Sequence, residues 1–279
     1  MSTHPPSLPP FPSKPYTPTH TTWPYTPLDF TRHDSSPDTL FYLTPRFVTH
    51  IDAPAARRLT AYYASVLPCR GAILDLCASW TCFYPTHINQ GVKNGDINVY
   101  GIGLNAAELG ANTAFRGPGY WRVLDLNAPP YDVRGAAWSA QGDVRFDAIT
   151  CAVSIDYLTH PLEVCSSLLG AAKAGAALHV VVSNRCFGAK VVRRWMELDE
   201  VGRLEFVGDY LHFAGWSDVE IVDLCARDGE GRRVTDERGT VVVGDEGLPG
   251  HLDPLWVVRG RKRVEGAEKG GDVGAAGLG

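Results

Sequence analysis

The stretch AILDLCASWTCFYP, Ala72–Pro85, decides how the rest of the chain is read. Its first half is an apolar run closed by Asp75, the form of a strand buried on both faces of a parallel sheet. Its second half is a turn without a single glycine. A loop that cradles a dinucleotide carries Gly-x-Gly-x-x-Gly, because glycine lets the backbone approach a pyrophosphate closely. The strand therefore points to a nucleotide-binding type of sheet, while the turn argues against a dinucleotide and against a nicotinamide-dependent oxidoreductase.

Working outward, strand-like and helix-like patterns alternate. GAILDL, INVYGIGL, WRVLDL, FDAITCAVS, AALHVVVSN, SDVEIVDLCA and PLWVVRG are seven short apolar runs, each ended by polar or turn residues. APAARRLTAYYASVL places Leu59, Tyr62, Tyr63 and Val66 on one helical face, with Asp52 as the cap and Pro54 in the first turn. THPLEVCSSLLGAAKAG reads as a second helix, with Thr159 as its cap, a stripe running from Leu162 to Ala172, and Gly175 after its end. The alternation predicts an α/β fold: a doubly wound, mostly parallel seven-stranded sheet with helices on both faces, whose ligand site lies at the carboxyl ends of the strands.

The flanks differ. More than half of the 20 prolines precede Phe47, so residues 1–39 are expected to form a disordered or polyproline segment, draped on the domain through Trp23 and Tyr25. Residues 40–263 form the expected domain, with a lid segment at its start, and residues 264–279 a glycine-rich flexible tail. In 279 residues with a formal charge of −5, basic residues make no patch suited to nucleic acid. No run is long and apolar enough to span a bilayer, and the N-terminus lacks the plan of a signal peptide. A soluble, cytoplasmic protein with a small-molecule partner is expected. Seven cysteines without a Cys-x-x-Cys pair fit free thiols, and neither a disulfide framework nor a metal site.

Polar residues recur at the strand ends: Asp75, Asn105, Asp125, Ser154–Tyr157 and Asn184. The first three are spaced by about 20 to 30 residues, the length of a βα step in a dinucleotide- or adenosine-binding half-domain. With these residues in place, ILDLCASW, VYGIGLNAAEL, VLDLN, FDAITCAVSIDYLTHPLEV and VVVSNRCFGAK together resemble, in order and spacing, the motifs of class I S-adenosylmethionine-dependent methyltransferases. The resemblance is to the type 11 or methyltransferase-like subgroup, in which a Cys-x-Ser-Trp loop replaces Gly-x-Gly.

The resemblance implies S-adenosylmethionine as cofactor. Its methionine part would lie at Asp75, Leu76, Cys77, Ala78 and Ser79, with amides at the start of the next helix meeting the carboxylate. Asn105 would take the ribose in place of the usual acid, with Glu108 in reserve. Asp125, with Leu126 and Asn127, would take the adenine, and Ser154 would lie beneath the cofactor. S-adenosylmethionine has no phosphates, so small side chains at Cys77, Ala78 and Ser79 suffice where glycine is absent, provided that the turn needs no positive φ.

Methyl transfer from a sulfonium needs a base only where the acceptor must lose a proton. Asp156, Tyr157 and His50 are the candidates. Tyr42, Arg46, His50, Tyr157, Asn184 and Arg185 are candidates for the acceptor and lid, Arg185 for holding an acidic acceptor. Cys77 has nothing basic beside it in sequence and reads as an inert thiol. The alternative to an enzyme is a non-catalytic S-adenosylmethionine-binding or regulatory protein on the same fold.

Overall fold

The computed structural model describes residues 11–134, 138, 144–227, 241–242 and 251–264. Apart from Val264, the expected glycine-rich tail lies outside the described residues, as do residues 1–10. In chain order the elements are β1 (Ser13–Pro15), α1 (Asp38–Phe41), α2 (Ala53–Val66), β2 (Gly71–Leu76), α3 (Thr86–Asn94), β3 (Ile97–Gly103), α4 (Ala106–Ala111), β4 (Trp121–Val123) and β5 (Phe146–Ala152). They continue with α5 (Pro161–Ala171), β6 (Ala172–Ser183), α6 (Arg193–Glu197), α7 (Glu200–Phe213), β7 (Ser217–Asp223), β8 (Val241–Val242), β9 (His251–Leu252) and β10 (Leu255–Arg261).

The main sheet has eight strands in the order β1-β7-β10-β6-β5-β2-β3-β4. The run from β4 to β6 is parallel, and β10 lies antiparallel to both of its neighbours. Side chains alternate faces along each strand, and the core divides accordingly. Leu74, Ile149, Val180 and Val258 pack with Leu168, Val207 and Tyr210 of α5 and α7. Ile73, Val99, Val181 and Val257 pack on the opposite face with Leu59, Tyr63 and Ile88 of α2 and α3. The expected doubly wound architecture is thus present, with one strand more than the seven read from the sequence. Among the described residues no helix is long and apolar enough to cross a membrane.

The eighth strand comes from the proline-rich segment. Ser13, Lys14 and Pro15 pair antiparallel with Val222, Ile221 and Glu220, and the Asp223 N–H donates to the Pro12 carbonyl at 2.8 Å. Proline is compatible with this place because an outer strand leaves one row of backbone groups unpaired. Beyond β1, Tyr16 and Tyr25 donate to the two oxygens of buried Asp209 at 2.5 and 2.6 Å. Trp23, Tyr25 and Phe30 pack on Phe206, Tyr210 and Phe213 of α7. The chain from Phe11 onward is docked: the draping expected through Trp23 and Tyr25 is present, but in place of a disordered or polyproline segment it includes a strand of the main sheet. Its aromatics and two phenols supply burial and hydrogen bonds that a proline count does not register.

Local expectations divide. Asp52 caps α2, accepting from the Ala55 N–H at 2.7 Å. Thr159 does not cap α5: its N–H and hydroxyl both donate to Asn127 Oδ1, at 2.7 and 3.1 Å. That helix ends at Ala171, and Ala172 already belongs to β6. Gly175 lies within β6 at φ +80, in the stretch where the β5–β6 register shifts.

Gly208 is where α7 admits the segment, since a Cβ there would lie 2.4 Å from the Tyr16 ring. Gly208→Ala is therefore expected to destabilise the protein by about 1–3 kcal/mol, the usual cost of overpacking. The urea midpoint checks this, and limited proteolysis should show cleavage gained between Phe11 and Phe30.

Candidate functional site

Strand order reverses between β2 and β5, so the connections leaving their carboxyl ends diverge and open a crevice. A pocket of about 650 Å³ occupies it, within the range of small-ligand sites. Its walls include Asp75–Thr81 after β2, Ile102–Asn105 and Glu108 after β3, Leu124–Asn127 after β4, Ala152–Ser154 and Tyr157 after β5, and Arg185–Phe187 after β6. Tyr42, Arg46 and Val48–Asp52 close it from the N-terminal side.

The glycine-free loop takes an unexpected course. Cys77 adopts φ +53, a left-handed conformation, so the turn does require positive φ. The Ala78 N–H then donates to the Ile102 carbonyl at 2.7 Å, drawing the loop across the end of β3. A Cβ on Gly103 would lie 2.1 Å from the Ala78 carbonyl oxygen, so glycine is needed on β3, where the loop lands. Phe83 (φ +56) and Val153 (φ +45) also line the pocket. Left-handed backbone at non-glycine residues, and above all at a β-branched one, is strain held in place by its surroundings. No helix follows the turn directly: α3 starts at Thr86, and its first residues do not line the pocket. The helix-start amides expected to meet a carboxylate are therefore absent from the site.

Asn105 faces the pocket with its amide fully engaged. Its Oδ1 caps α4, accepting from Ala107 and Glu108 N–H at 2.9 and 3.1 Å. Its Nδ2 donates to the Tyr42 and Leu43 carbonyls at 2.8 and 3.1 Å. The expected ribose contact at Asn105 would have to break these bonds, and the acid beside it is Glu108. Buried Glu108 accepts from Ser79 Oγ at 2.5 Å and from the Arg46 backbone N–H at 2.7 Å, joining loop, helix and lid. Trp80 adds a second tie, its indole N–H donating to the Val48 carbonyl at 3.0 Å.

On the β4 side, Asp125 Oδ1 accepts from the Asn127 N–H at 2.9 Å, while Oδ2 has no hydrogen-bond partner among the described residues. The Asn127 amide is spent structurally, donating to Asp38 Oδ2 and to the Tyr157 carbonyl at 2.8 and 2.9 Å. Leu126 is buried in the wall. Ser154 donates to the Ala152 carbonyl at 2.8 Å and lines the floor.

The three base candidates separate. Asp156 is 3% exposed and does not line the pocket; its Oδ2 is buried without a partner, and burial pushes its carboxyl up to about 8. The single-turn helix Ile155–Tyr157 aims Asp156 into the core, so it cannot reach a ligand in the pocket. The Tyr157 hydroxyl accepts from the Phe187 N–H at 2.8 Å, and burial raises its phenol far above the usual range. His50 lines the pocket, its ring 5.2 Å from that of Phe187. Partial burial and the nearby Arg46 charge lower its pKa below 6.5, against an opposing pull from Glu108, which leaves a neutral imidazole at neutral pH.

Asp75 lies at the base of the pocket, 4% exposed, accepting from Thr150 Oγ1 at 2.7 Å. Burial pushes it up to about 7, despite the lowering effect of hydrogen bonds from Cys82 and Thr150. Cys77, Ala78 and Ser79 line the pocket as expected residues of the loop. Asn184 is exposed and outside the pocket, whereas Arg185 lines it and binds Asp253 Oδ1 at 2.7 Å. Sequence reasoning missed Asp38, Phe187 and Asp253. Asp253 could have been noticed as a polar residue just before the last strand, but nothing local marks Asp38. None of the seven cysteines forms a disulfide, and among the described residues no group of three His, Cys, Asp or Glu could hold a metal ion.

No family model matches the sequence, and no match is found among curated proteins. Similar solved structures include an S-adenosylmethionine-dependent methyltransferase from Archaeoglobus fulgidus, 14% identical, covering 73% of this chain and 92% of that one at a TM-score of 0.43. A TehB-like S-adenosylmethionine-dependent methyltransferase from Corynebacterium glutamicum is 14% identical, covering 76% and 89% at a TM-score of 0.41. The [4+2]-cyclase SpnF is 17% identical, covering 74% and 80% at a TM-score of 0.43. Methyltransferases and a cyclase thus stand side by side, and likeness at this level assigns no activity.

The raised carboxyls have a consequence for stability. In the unfolded chain Asp75 and Asp156 ionise near 3.8; in the folded chain they keep their protons to about 7 and about 8. The folded state therefore holds more protons over this window, and stability falls as pH rises from about 4 to about 8, by about 1.4 kcal/mol per pH unit for each retained proton. Denaturant midpoints measured from pH 5 to 8 should fall, and Asp75→Asn and Asp156→Asn should each flatten the slope.

Proposed function

We propose that the protein is an S-adenosylmethionine-dependent methyltransferase acting on a small-molecule acceptor. The observation that carries this reading is the pairing, in one switch-point pocket, of an uncommitted Asp125 carboxylate oxygen with a tight loop, Cys77–Thr81, drawn over the end of β3. The free oxygen suits the exocyclic amine of an adenine, with Leu124 and Leu126 as apolar wall beside it. The loop leaves room for a small amino acid end and none for a pyrophosphate cradle. The ribose would fall to Glu108 and not to Asn105, because a carboxylate can accept from two hydroxyls.

Held by Asp125, Glu108 and the Cys77–Thr81 loop, S-adenosylmethionine would supply a methyl activated on a sulfonium, whose carbon–sulfur electron pair would return to sulfur as a nucleophile displaces it. The chain's own part is to hold the acceptor in line and, for a hydroxyl acceptor, to remove its proton. His50 is the residue for that step, being neutral, on the pocket wall and without a competing hydrogen bond among the described residues. A second reading, cofactor binding without catalysis, draws support from the engaged Asn105 amide at the ribose position.

Calorimetric titration with S-adenosylmethionine tests the first part. Binding is expected, with Asp125→Ala weakening it about tenfold through a lost charge-assisted hydrogen bond and His50→Ala leaving it nearly unchanged. Absence of heat with the native protein would overturn the proposal, and Ser79→Trp should abolish binding by filling the loop. Label transfer from methyl-labelled cofactor into a cell extract then separates enzyme from binding protein. With the labelled acceptor in hand, the rate should rise with pH about a midpoint lower than that of an ordinary imidazole, and His50→Gln should remove that rise.

A further inference from the structure

Apart from Asp125 on the β4 side, whose Oδ2 is uncommitted, the charges lining the pocket are engaged by partners, with one exception on the acceptor side. Asp38 is held by Arg32 at 2.7 Å, by Asn127 at 2.8 Å and by Lys190 at 3.4 Å. Asp52 and Asp253 accept each other's backbone N–H groups, and Asp253 also holds Arg185. Glu108 is taken by Ser79 and the Arg46 backbone, and burial holds the proton on Asp75 up to about 7. The Arg46 guanidinium, by contrast, has no anionic partner among the described residues. It lies over the rings of Phe41 and Phe187, with 4.5 and 5.1 Å to their centroids.

The Phe41 and Phe187 rings meet edge to face, their centroids 5.5 Å apart, so both lie toward one side of the guanidinium and leave N–H donors on its other side open for a planar, forked partner. A merely solvated surface arginine has neither these two ring contacts nor a place in a pocket wall. The surroundings are aromatic: Tyr42, His50, Tyr157 and Phe187 share this end of the cavity. This end lies after β5 and β6, away from Asp125 after β4, so it faces whatever stands beyond an adenosine seated at Asp125.

We infer that the acceptor is a small aromatic or conjugated oxyanion, its carboxylate or phosphate held by Arg46 and its ring packed against Phe187 and Tyr42. This rests on the methyltransferase reading for the role of the bound molecule, but anion binding itself does not depend on it. Arg46 replaces Arg185, whose Nε is committed to Asp253, as the residue that recognises acid.

The full chain is titrated by calorimetry with benzoate, phenyl phosphate and neutral benzamide, each with and without saturating S-adenosylhomocysteine. Benzoate or phenyl phosphate should bind, the tighter of the two identifying the oxyanion, and benzamide should bind about tenfold or more weakly. Arg46→Gln should lose the anion by a similar factor, Arg46→Lys should fall between, and Phe187→Leu should weaken it, with thermal midpoints confirming that each variant is folded. Equal binding of benzoate and benzamide, or anion binding unchanged in Arg46→Gln, would overturn the inference. So would a loss, in Arg46→Gln, of affinity for S-adenosylhomocysteine with affinity for methylthioadenosine retained, since the latter lacks the carboxylate; Arg46 would then serve the cofactor. If the native protein binds neither nucleoside yet binds benzoate through Arg46, the methyltransferase reading fails while the anion site stands.

Discussion

The hydrogen bond from the Ala78 N–H to the Ile102 carbonyl sets the geometry of the site. It carries the loop after β2 over the tip of β3, and the close approach that results leaves room only for glycine at position 103. An acidic side chain cannot rise from that point of β3, so polar work shifts one turn onward to Asn105 and Glu108. Asn105 closes the helix start and hangs the lid backbone from its amide. Glu108 then collects Ser79 from below and Arg46 from above, giving one buried carboxylate that ties three separate pieces of chain. Removing one partner of such a group strands a charge, so the three pieces hold their places together.

A second network fixes the opposite wall. Lys190 is fully buried, its Nζ 2.6 Å from the Ser36 carbonyl and 3.1 Å from Asp34 Oδ2, and it shares Asp38 with Arg32. Asp38 in turn receives Asn127 from the pocket wall. The docked N-terminal segment therefore does more than cover α7. It ends in a charge network that orients a residue of the site. Buried ion pairs are weak contributors to net stability, because desolvation offsets their attraction, but they define geometry sharply once every member is paired.

Most of the fold was legible because strand and helix periods differ, and buried parallel strands are read as unbroken apolar runs. In the N-terminal segment Trp23 and Tyr25 were legible as anchors, but β1 and the lone Asp209 on α7 were not, because proline content argues against regular structure and nothing local marks the carboxylate that takes both phenols. At the site, the residue numbers along the crevice could be read from strand ends, but their directions could not. Asp156 and Tyr157 are neighbours, yet a single turn of tight helix sends the first into the core and keeps the second at the cavity. Asn105 showed the same limit, since an amide that can bind a ligand can equally cap a helix. The glycine-free loop was read as relaxed and is not: the left-handed step falls on Cys77 and the missing glycine is found on the neighbouring strand.

The pairing of Ser13 with Val222 also constrains the order in which the molecule can assemble. This strand is made long before β7 and has no edge to join until β7 follows. Throughout that interval it waits as an unpaired extended segment, the kind of chain that mispairs with other edges. Prolines before and within it remove backbone donors and keep it from propagating a ladder, while a three-residue pairing is enough once β7 is in place. The composition that obscures this segment in the sequence is thus well suited to a piece of chain that is made well before the edge it docks on.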